Sequence, residues 1–365
     1  MDKKKKNTIL IILGIMIFFV IIASILFIGK NENKKEKIGF ILSGNIEENG
    51  WNGMHYIGFK KSCEKMGVEM LVKENVKEFT GECEKAIHQL VEEGASMIVL
   101  SSYGYTEEVK EVVKKYPSIV FYGNSSEYHD QNLTSYFVRM YQARYLAGII
   151  AGMKTESNII GYVAAMENNE VNRGISAFTL GVKRVNPDAV VKVMWTGNWD
   201  DEEKEIEAAR TLIEEAKADV ITYHQNQDYT VREAERHGVY SIGYHVPLTG
   251  MSSKYLTSVI CNWELLYEEI IKQFLQGKGN TVANYWIGID KDVVSLAEYS
   301  KEVSVDMKTE IETAITEMLA GKDVFTGEIY DNQGNLRCEN GEIIRDEILL
   351  EQFDWFVKGV EIYEK

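Results

Sequence analysis

The chain has 365 residues, of which 45% are hydrophobic, and this length supports two domains with separate cores. Its formal net charge is −16. The first 37 residues hold eight lysines against three acidic residues, so residues 38–365 carry −21. Such a surface repels phosphate backbones and argues against a nucleic-acid partner, and its simplest role is to keep an extracellular domain soluble.

The N-terminus has the pattern of a membrane anchor. Lysines occupy positions 3–6, and residues 8–29 (TILIILGIMIFFVIIASILFIG) are uncharged and mainly apolar. As a helix this stretch is roughly 33 Å long at ~1.5 Å per residue, enough for a bilayer core of ~30 Å. The preceding lysines predict a cytoplasmic N-terminus and an extracellular remainder. A cleaved signal peptide is the alternative, although its apolar region is usually shorter, roughly 7–15 residues, and ends at a small-residue site.

The cysteines show no CxxC pair and no spacing typical of metal ligands. An extracellular location permits disulfides, but nothing in the spacing requires one. We expect mostly buried free thiols, and the sequence leaves open whether Cys63 and Cys83 pair. The four positions are Cys63, Cys83, Cys261 and Cys338.

Strands and helices alternate along the first part of the chain after the anchor. Apolar runs predict strands, and helical spacing of apolar residues predicts the helices between them. The predicted strands are 38–42, 70–72, 97–100, 119–122 and 133–138, and the predicted helices are 51–66, 81–93, 106–115 and 141–154.

The same alternation then restarts. The predicted strands are 159–164, 190–195, 219–223 and 240–243, and the predicted helices are 171–185, 202–215 and 230–237. Short apolar strands alternating with helices are typical of parallel sheets covered on both faces, so we expect an α/β fold of two doubly wound lobes. Ligands in such sheets bind beyond the carboxyl ends of the strands, which here would face each other across a cleft.

No catalytic constellation stands out. The chain lacks a GxxxxGK[ST] phosphate loop, an HExxH motif and a complete GxSxG elbow. The acidic run at 200–203 is the best-placed cluster for an enzyme, but its simpler interpretation is an exposed helix start. We therefore expect no enzymatic activity, no cofactor and no bound metal.

Two histidines, His224 and His245, follow predicted strands at their carboxyl ends and could share one cleft. They could form a metal pair, a hydrogen-bonding wall for a polar ligand, or purely structural contacts. The sequence leaves these three interpretations open.

Two tryptophans give a stronger signal. Trp51 and Trp199 lie in loops at strand ends, one in each predicted lobe, flanked by glycine, asparagine and acidic residues. Loops lie at the surface, so a core role is unusual there. Closure of the lobes would bring the two indoles together around a flat aromatic ligand. The alternative is that each ring caps the core of its own lobe or starts a helix.

Several short motifs, in order, carry a resemblance to a known family. They are residues 47–52 (EENGWN), 142–148 (QARYLAG), 173–181 (RGISAFTLG), 186–188 (NPD), 199–201 (WDD), 218–222 (ADVIT), 238–244 (GVYSIGY), 256–258 (LTS) and 355–360 (WFVKGV). Residues 37–365 resemble the basic membrane protein family, the substrate-binding components of ABC transporters for purine nucleosides and related compounds.

The resemblance implies a type I periplasmic-binding-protein fold with three crossovers between two lobes. It places residues 1–37 in the anchor and linker, residues 38–135 with 262–283 in the first lobe, and residues 136–261 with 284–365 in the second. It also implies that Trp51 and Trp199 sandwich a purine. Asn52 and Asn124 fall on positions that read the edge of the base in the family.

The chain departs from this family pattern in two respects. His245 and Cys261 stand where nucleoside-binding members have an aspartate and a lysine that hold the ribose hydroxyls. An unsatisfied buried polar group costs ~1–3 kcal/mol, so a free nucleobase or similar flat heterocycle fits better than a nucleoside. A spanning helix also replaces the usual lipid-bearing cysteine.

We therefore predict a single-pass membrane protein with an extracellular domain that binds a purine-like ligand and delivers it to ABC transporter permease subunits. The ligand site is predicted from Trp51, Asn52, Asn124, Trp199, His224 and His245. A sensor domain that reports ligand binding to a membrane signalling partner is the alternative. A nucleoside-processing enzyme is the second alternative.

Overall fold

The computed structural model describes residues 35–48, 50–125, 128–279 and 284–364. The predicted anchor, residues 8–29, lies outside these ranges. Within them, every helix falls short of the length and apolar character that a membrane span needs. Residues 37–365 form one compact unit.

Six strands in the described part of the chain form the first sheet, and all their pairings are parallel. In sheet order they are β11 (Asn284–Ile287), β5 (Leu133–Val138), β4 (Val120–Asn124), β3 (Met97–Leu100), β1 (Lys37–Ile41) and β2 (Glu69–Lys73). Strands β3 and β5 are buried along their whole length, as expected of a parallel sheet covered on both faces.

The second sheet has seven strands among the described residues, and only its β10–β12 pairing is antiparallel. In sheet order they are β12 (Val294–Leu296), β10 (Tyr255–Cys261), β9 (Tyr240–His245), β8 (Val220–His224), β6 (Ile159–Ala164), β7 (Val190–Trp195) and β15 (Val360–Ile362). A small hairpin of β13 (Ile329–Tyr330) and β14 (Leu336–Cys338) completes the described strands.

The helices follow the predicted alternation. In chain order the described ones are α1 (Trp51–Met66), α2 (Glu82–Glu92), α3 (Tyr105–Glu108), α4 (Lys110–Lys115), α5 (Met140–Lys154), α6 (Asn169–Val185), α7 (Glu202–Glu214), α8 (Tyr229–His237), α9 (Trp263–Leu275), α10 (Val305–Leu319) and α11 (Asp346–Glu351). The predicted α/β fold of two doubly wound lobes is therefore confirmed.

Two helices differ from the prediction for local reasons. The single helix predicted over 106–115 is divided into α3 and α4 at Val109, whose φ of −94° and ψ of −2° lie in the bridge region. Helix α6 begins two residues earlier than predicted because Asn168 caps it. The Asn168 side chain accepts a hydrogen bond of 2.9 Å from the Val171 N–H.

The chain passes between the two sheets three times: after β5, between β10 and α9, and between β11 and β12. Helix α9 belongs with the first sheet, because the Ser62 hydroxyl of α1 donates to the Glu264 carbonyl at 2.8 Å. The first sheet extends past two of the predicted boundaries, those at 135 and 283, since β5 continues to Val138 and β11 pairs with it. We call the first sheet with its helices the first lobe, and the second sheet with its helices the second lobe.

All four cysteines are buried and free. The expectation of buried thiols is confirmed, and Cys63 and Cys83 do not pair. Burial raises the pKa of the Cys63 thiol to about 12, which keeps it protonated and unreactive at neutral pH.

Candidate functional site

A cavity lies where the carboxyl ends of the two sheets meet. Five of the six predicted site residues line it: Trp51, Asn124, Trp199, His224 and His245. Asn124, His224 and His245 are the last residues of β4, β8 and β9, which is the sheet edge that the α/β pattern predicted.

Trp51 was predicted in a loop, but it is the first residue of α1, and it borders both the cavity and the core of the first lobe. Its indole Nε1 donates to the Ser101 carbonyl at 3.0 Å. Its ring lies 4.1 Å from the ring of His55 and 5.3 Å from that of Trp263. The indole is thus fixed by its own lobe, and it is also part of the cavity wall.

Trp199 occupies the loop between β7 and α7 in the second lobe and is half-buried. Its backbone carbonyl accepts from the Asn226 N–H at 3.0 Å, which ties this loop to the one after β8. Its ring centroid lies 6.1 Å from that of His224. The structure therefore brings one indole from each lobe to the same cavity.

The two predicted asparagines have different surroundings. Asn124 lines the cavity, is 2% exposed, and its Nδ2 has no hydrogen-bond partner among the described residues. Asn52 does not line the cavity. Its Oδ1 accepts from the Ser43 hydroxyl at 3.2 Å and its Nδ2 donates to Glu48 at 2.9 Å, so it positions Ser43, which does line the cavity.

His224 sits in a polar cluster at the cavity floor. Its Nε2 lies 3.2 Å from the Glu170 carboxylate and 3.3 Å from the Tyr244 hydroxyl. Burial lowers the pKa of His224, against the opposing effect of Glu170. These contacts favour the polar wall, and no group of three or more metal-ligating side chains occurs among the described residues.

His245 adopts a φ of +68°, a left-handed conformation that is uncommon for residues other than glycine and often marks functional sites. Its ring centroid lies 3.6 Å from that of Tyr244. It lies 5.3 Å from that of Trp51, and these two rings meet edge to face. Burial, with a further contribution from His224, lowers the pKa of His245 well below its usual value. The ring is therefore neutral at physiological pH.

Two carboxylates in the cavity wall, Glu78 and Glu170, were not predicted from the sequence. Glu78 accepts hydrogen bonds from the Ser102 hydroxyl and, at 2.8 Å, from the Gly104 N–H. Glu170 lies in the first turn of α6. The sequence predicts that this helix begins at residue 171, one residue after Glu170, and the Asn168 cap is the signal that could have shown the earlier start.

Loops of the two lobes are in direct contact beside the cavity. A Cβ atom placed on Gly50, before α1, would lie only 2.1 Å from the Asn226 carbonyl oxygen after β8. The described conformation is therefore a closed one, with the loops of both lobes in contact at the cavity.

The profile of ABC transporter substrate-binding proteins of the PnrA-like type matches residues 35–325. The chain belongs to this family. It is 31% identical over 332 residues to a purine-binding protein of Brucella abortus, covering 90% of this chain and 93% of that protein. It is 33% identical over 280 residues to a protein of Haloferax volcanii provisionally named as an ABC transporter glucose-binding protein, covering 76% and 68%.

Among solved structures, an ABC transporter solute-binding protein from Conexibacter woesei superposes with a TM-score of 0.62. The match covers 79% of this chain and 97% of that one at 18% identity. At this identity the similarity is one of fold, and it agrees with two lobes built on mainly parallel sheets.

Glu205 of α7 is buried in the second lobe and gives a prediction for the pH dependence of stability. Its Oε1 accepts from the Thr230 N–H at 2.9 Å and from the Thr230 hydroxyl at 2.8 Å. Burial raises the pKa of Glu205 to about 7, whereas an unfolded chain has ~4.3. Between these values the folded state binds more protons, so the free energy of unfolding falls as pH rises, by a term on the order of 4 kcal/mol.

Glu205→Gln keeps the acceptor for Thr230 and removes this titration. We expect thermal unfolding of the variant to depend less on pH between 5 and 8 than that of the wild type, with the variant relatively more stable at pH 8. Glu203→Gln, on the exposed face of the same helix, is the matched control. A pH dependence identical to that of the wild type would contradict the assignment.

Proposed function

We propose that this protein is an extracellular solute-binding protein that captures a purine nucleobase, or a similar flat heterocycle, and delivers it to an ABC transporter permease. The observation that supports this most is the presence of Trp51 and Trp199, one from each lobe, in the wall of one cavity. Stacking of a base on an aromatic ring contributes ~1–3 kcal/mol, so two rings supply much of a useful affinity.

A free base suits the cavity better than a nucleoside. His245 stands where the resemblance implies an aspartate that binds ribose. Its ring packs against the aromatic rings of Trp51 and Tyr244. Cys261, which replaces the expected lysine, is the last residue of β10, pairs with Val294, and does not line the cavity. Ribose hydroxyls would therefore lack the two charged partners that the family resemblance implies for nucleoside-binding members.

The membrane part of the proposal rests on residues 1–37. Four lysines followed by the apolar run at 8–29 support an uncleaved anchor that holds the binding domain outside the cell, close to the permease. The purine-binding relative from Brucella abortus supports the choice of ligand, whereas the name of the Haloferax volcanii relative makes glucose the competitor to test.

The test is isothermal titration of the full-length protein, purified in detergent, with adenine, guanine, hypoxanthine, xanthine, inosine and glucose. We expect at least one free base to bind, and roughly tenfold or more tightly than inosine, because the ribose costs ~1–3 kcal/mol of unmet hydrogen bonding. Binding of glucose with no response to any purine would overturn the proposal.

A further inference from the structure

The side chains that line the cavity carry negative charge from both lobes. Its carboxylates are Glu78 of the first lobe and Glu170 of the second, and no lysine or arginine lines it in the described part of the chain. Burial lowers the pKa of His224 and of His245, so neither histidine supplies a positive charge at neutral pH. A ligand in this cavity therefore lies beside carboxylates and beside no cationic side chain.

The carboxylate of Glu170 has counter-charges within its own lobe. Its Oε2 lies 3.2 Å from His224 Nε2. Burial raises the pKa of Glu170, but the combined effect of His224, Arg173 and Arg144 lowers it. Both arginines are buried and do not line the cavity. The charge of Glu170 is therefore balanced largely from behind the cavity wall.

The carboxylate of Glu78 has no such balance. Its Oε1 accepts hydrogen bonds from the Ser102 hydroxyl and, at 2.8 Å, from the Gly104 N–H, both of which are uncharged donors. The described residues give Glu78 no ion pair and give its Oε2 no hydrogen-bond donor. The preceding residue, Lys77, is exposed, and its Nζ donates to the Ser43 carbonyl at 3.5 Å. Glu78 therefore keeps an unused acceptor and an uncompensated charge at the cavity.

Other titratable groups close to Glu78 add no positive charge. Cys83 of α2 and Tyr105 of α3 lie within its electrostatic reach. Burial, with a smaller contribution from carboxylates that include Glu78, raises the pKa of both groups, so both are neutral at physiological pH. Glu82 and Glu108, which also act on Tyr105, are carboxylates themselves. These neighbours therefore leave the charge of Glu78 unbalanced.

An unused hydrogen-bond donor lies in the same lobe. Asn124, at the end of β4, is 2% exposed and lines the cavity, and its Nδ2 has no hydrogen-bond partner among the described residues. A buried polar atom without a partner costs free energy and calls for an explanation. A ligand with an acceptor for Asn124 and a donor for Glu78 would satisfy both side chains.

A free purine base meets these requirements only in its neutral form. Its ring nitrogens include acceptors and at least one N–H donor, whereas a carboxylate can only accept hydrogen bonds. When the ring N–H ionises, the base loses that donor and becomes an anion. The carboxylate then repels it, because like charges placed together at a binding site are strongly unfavourable.

We propose that Glu78 accepts a hydrogen bond from a ring N–H of the bound base, so that the cavity takes purines as neutral molecules and rejects their anions. This inference rests on the proposed function and adds to it a residue and a charge state of the ligand. The requirement applies equally to bases with amino and with carbonyl substituents, because all of them carry ring N–H groups. Glu78 is thus the residue that determines specificity for the charge of the ligand.

The test compares the base that binds most tightly with its 8-aza analogue, in which nitrogen replaces the C–H group at position 8. The replacement leaves the shape of the base almost unchanged, but it makes the ring N–H acidic enough to ionise between pH 5.5 and pH 8, where the parent base stays neutral. Isothermal titration of the full-length protein gives both affinities at both pH values. Because the protein titrates equally in both experiments, the ratio of the two affinities reports the charge of the ligand.

For the wild type, we expect the affinity of the analogue relative to that of the parent base to fall about tenfold or more from pH 5.5 to pH 8. Glu78→Gln keeps an acceptor for Ser102 and Gly104 and also offers an NH₂ donor to the ionised ring nitrogen, so its ratio should change by less than about threefold. Glu107→Gln, at an exposed carboxylate of α3 that does not line the cavity, is the matched control and should behave as the wild type does.

The wild-type measurement tests the inference even if Glu78→Gln does not fold. A ratio that stays constant with pH in the wild type, or an analogue that fails to bind at pH 5.5, would overturn the inference. An equal fall of the ratio in a folded Glu78→Gln would also overturn it, because rejection of the anion would then have another origin. Each of these results leaves the proposed function standing, since the parent base still binds. Failure of every purine to bind the wild type would instead contradict the proposed function itself.

Discussion

Replacing Trp199 with alanine is expected to weaken binding of the preferred base by roughly 5- to 150-fold, which corresponds to ~1–3 kcal/mol of lost stacking. Trp199 is half-buried in a surface loop, and its backbone, rather than its ring, ties that loop to Asn226. The folded state should therefore tolerate the change. Isothermal titration gives the affinity, and thermal unfolding checks that the variant is folded.

Two companions make this result specific. Trp199→Phe keeps an aromatic face and is expected to retain most of the affinity. Trp195→Ala is the control. It removes an indole only four residues away, at the end of β7, and this indole packs near Phe356 and does not line the cavity. If Trp199→Ala bound the base as tightly as Trp195→Ala does, stacking by the second lobe would be refuted.

Gly50→Ala is expected to hold the lobes apart and to weaken binding by about tenfold or more. The φ of Gly50 is −170°, which any residue adopts, so its constraint is space rather than backbone strain. The added Cβ would lie 2.1 Å from the Asn226 carbonyl oxygen of the opposite lobe. Because ligand contacts from both lobes form only on closure, a penalty on closure appears directly as lost affinity.

Titration and small-angle X-ray scattering of the ligand-saturated protein measure this effect together. The variant should show weaker binding and a larger radius of gyration than the wild type under the same conditions. Glu47→Ala, an exposed position of the same loop, is the control and should behave as the wild type does. An affinity and a radius unchanged in Gly50→Ala would mean that this contact does not limit closure.

Local sequence patterns were sufficient for most of the fold. Helix α1 and strands β3, β5, β6 and β7 have the predicted bounds, because each is an apolar run or an amphipathic repeat ended by turn residues. The same patterns placed Trp199 and the two histidines after strands, whereas Trp51, which was predicted in a loop, is the first residue of α1. Because parallel strands align their carboxyl ends and two such lobes face each other across a cleft, these residues were predicted to meet.

Other parts of the site depend on contacts that no local pattern encodes. The amide side chain of Asn52 is suited to hydrogen-bonding a ligand, but its Nδ2 already donates to the carboxylate of Glu48, four residues earlier. Glu170 was missed because its role depends on where α6 begins and on Arg144, which comes from a different helix. The contact between Gly50 and Asn226 joins segments 176 residues apart. The need for glycine at position 50 therefore depends on the position of the other lobe and cannot be inferred from the local sequence.

We expect a flat base to lie between one indole of each lobe. A crystal structure of the protein with its preferred base would show this. Ring atoms of the base should lie within about 3.5–4.0 Å of both Trp51 and Trp199, the separation of favourable carbon–carbon contacts. A base bound outside the cavity, or one that touches only one of the two indoles, would contradict this expectation.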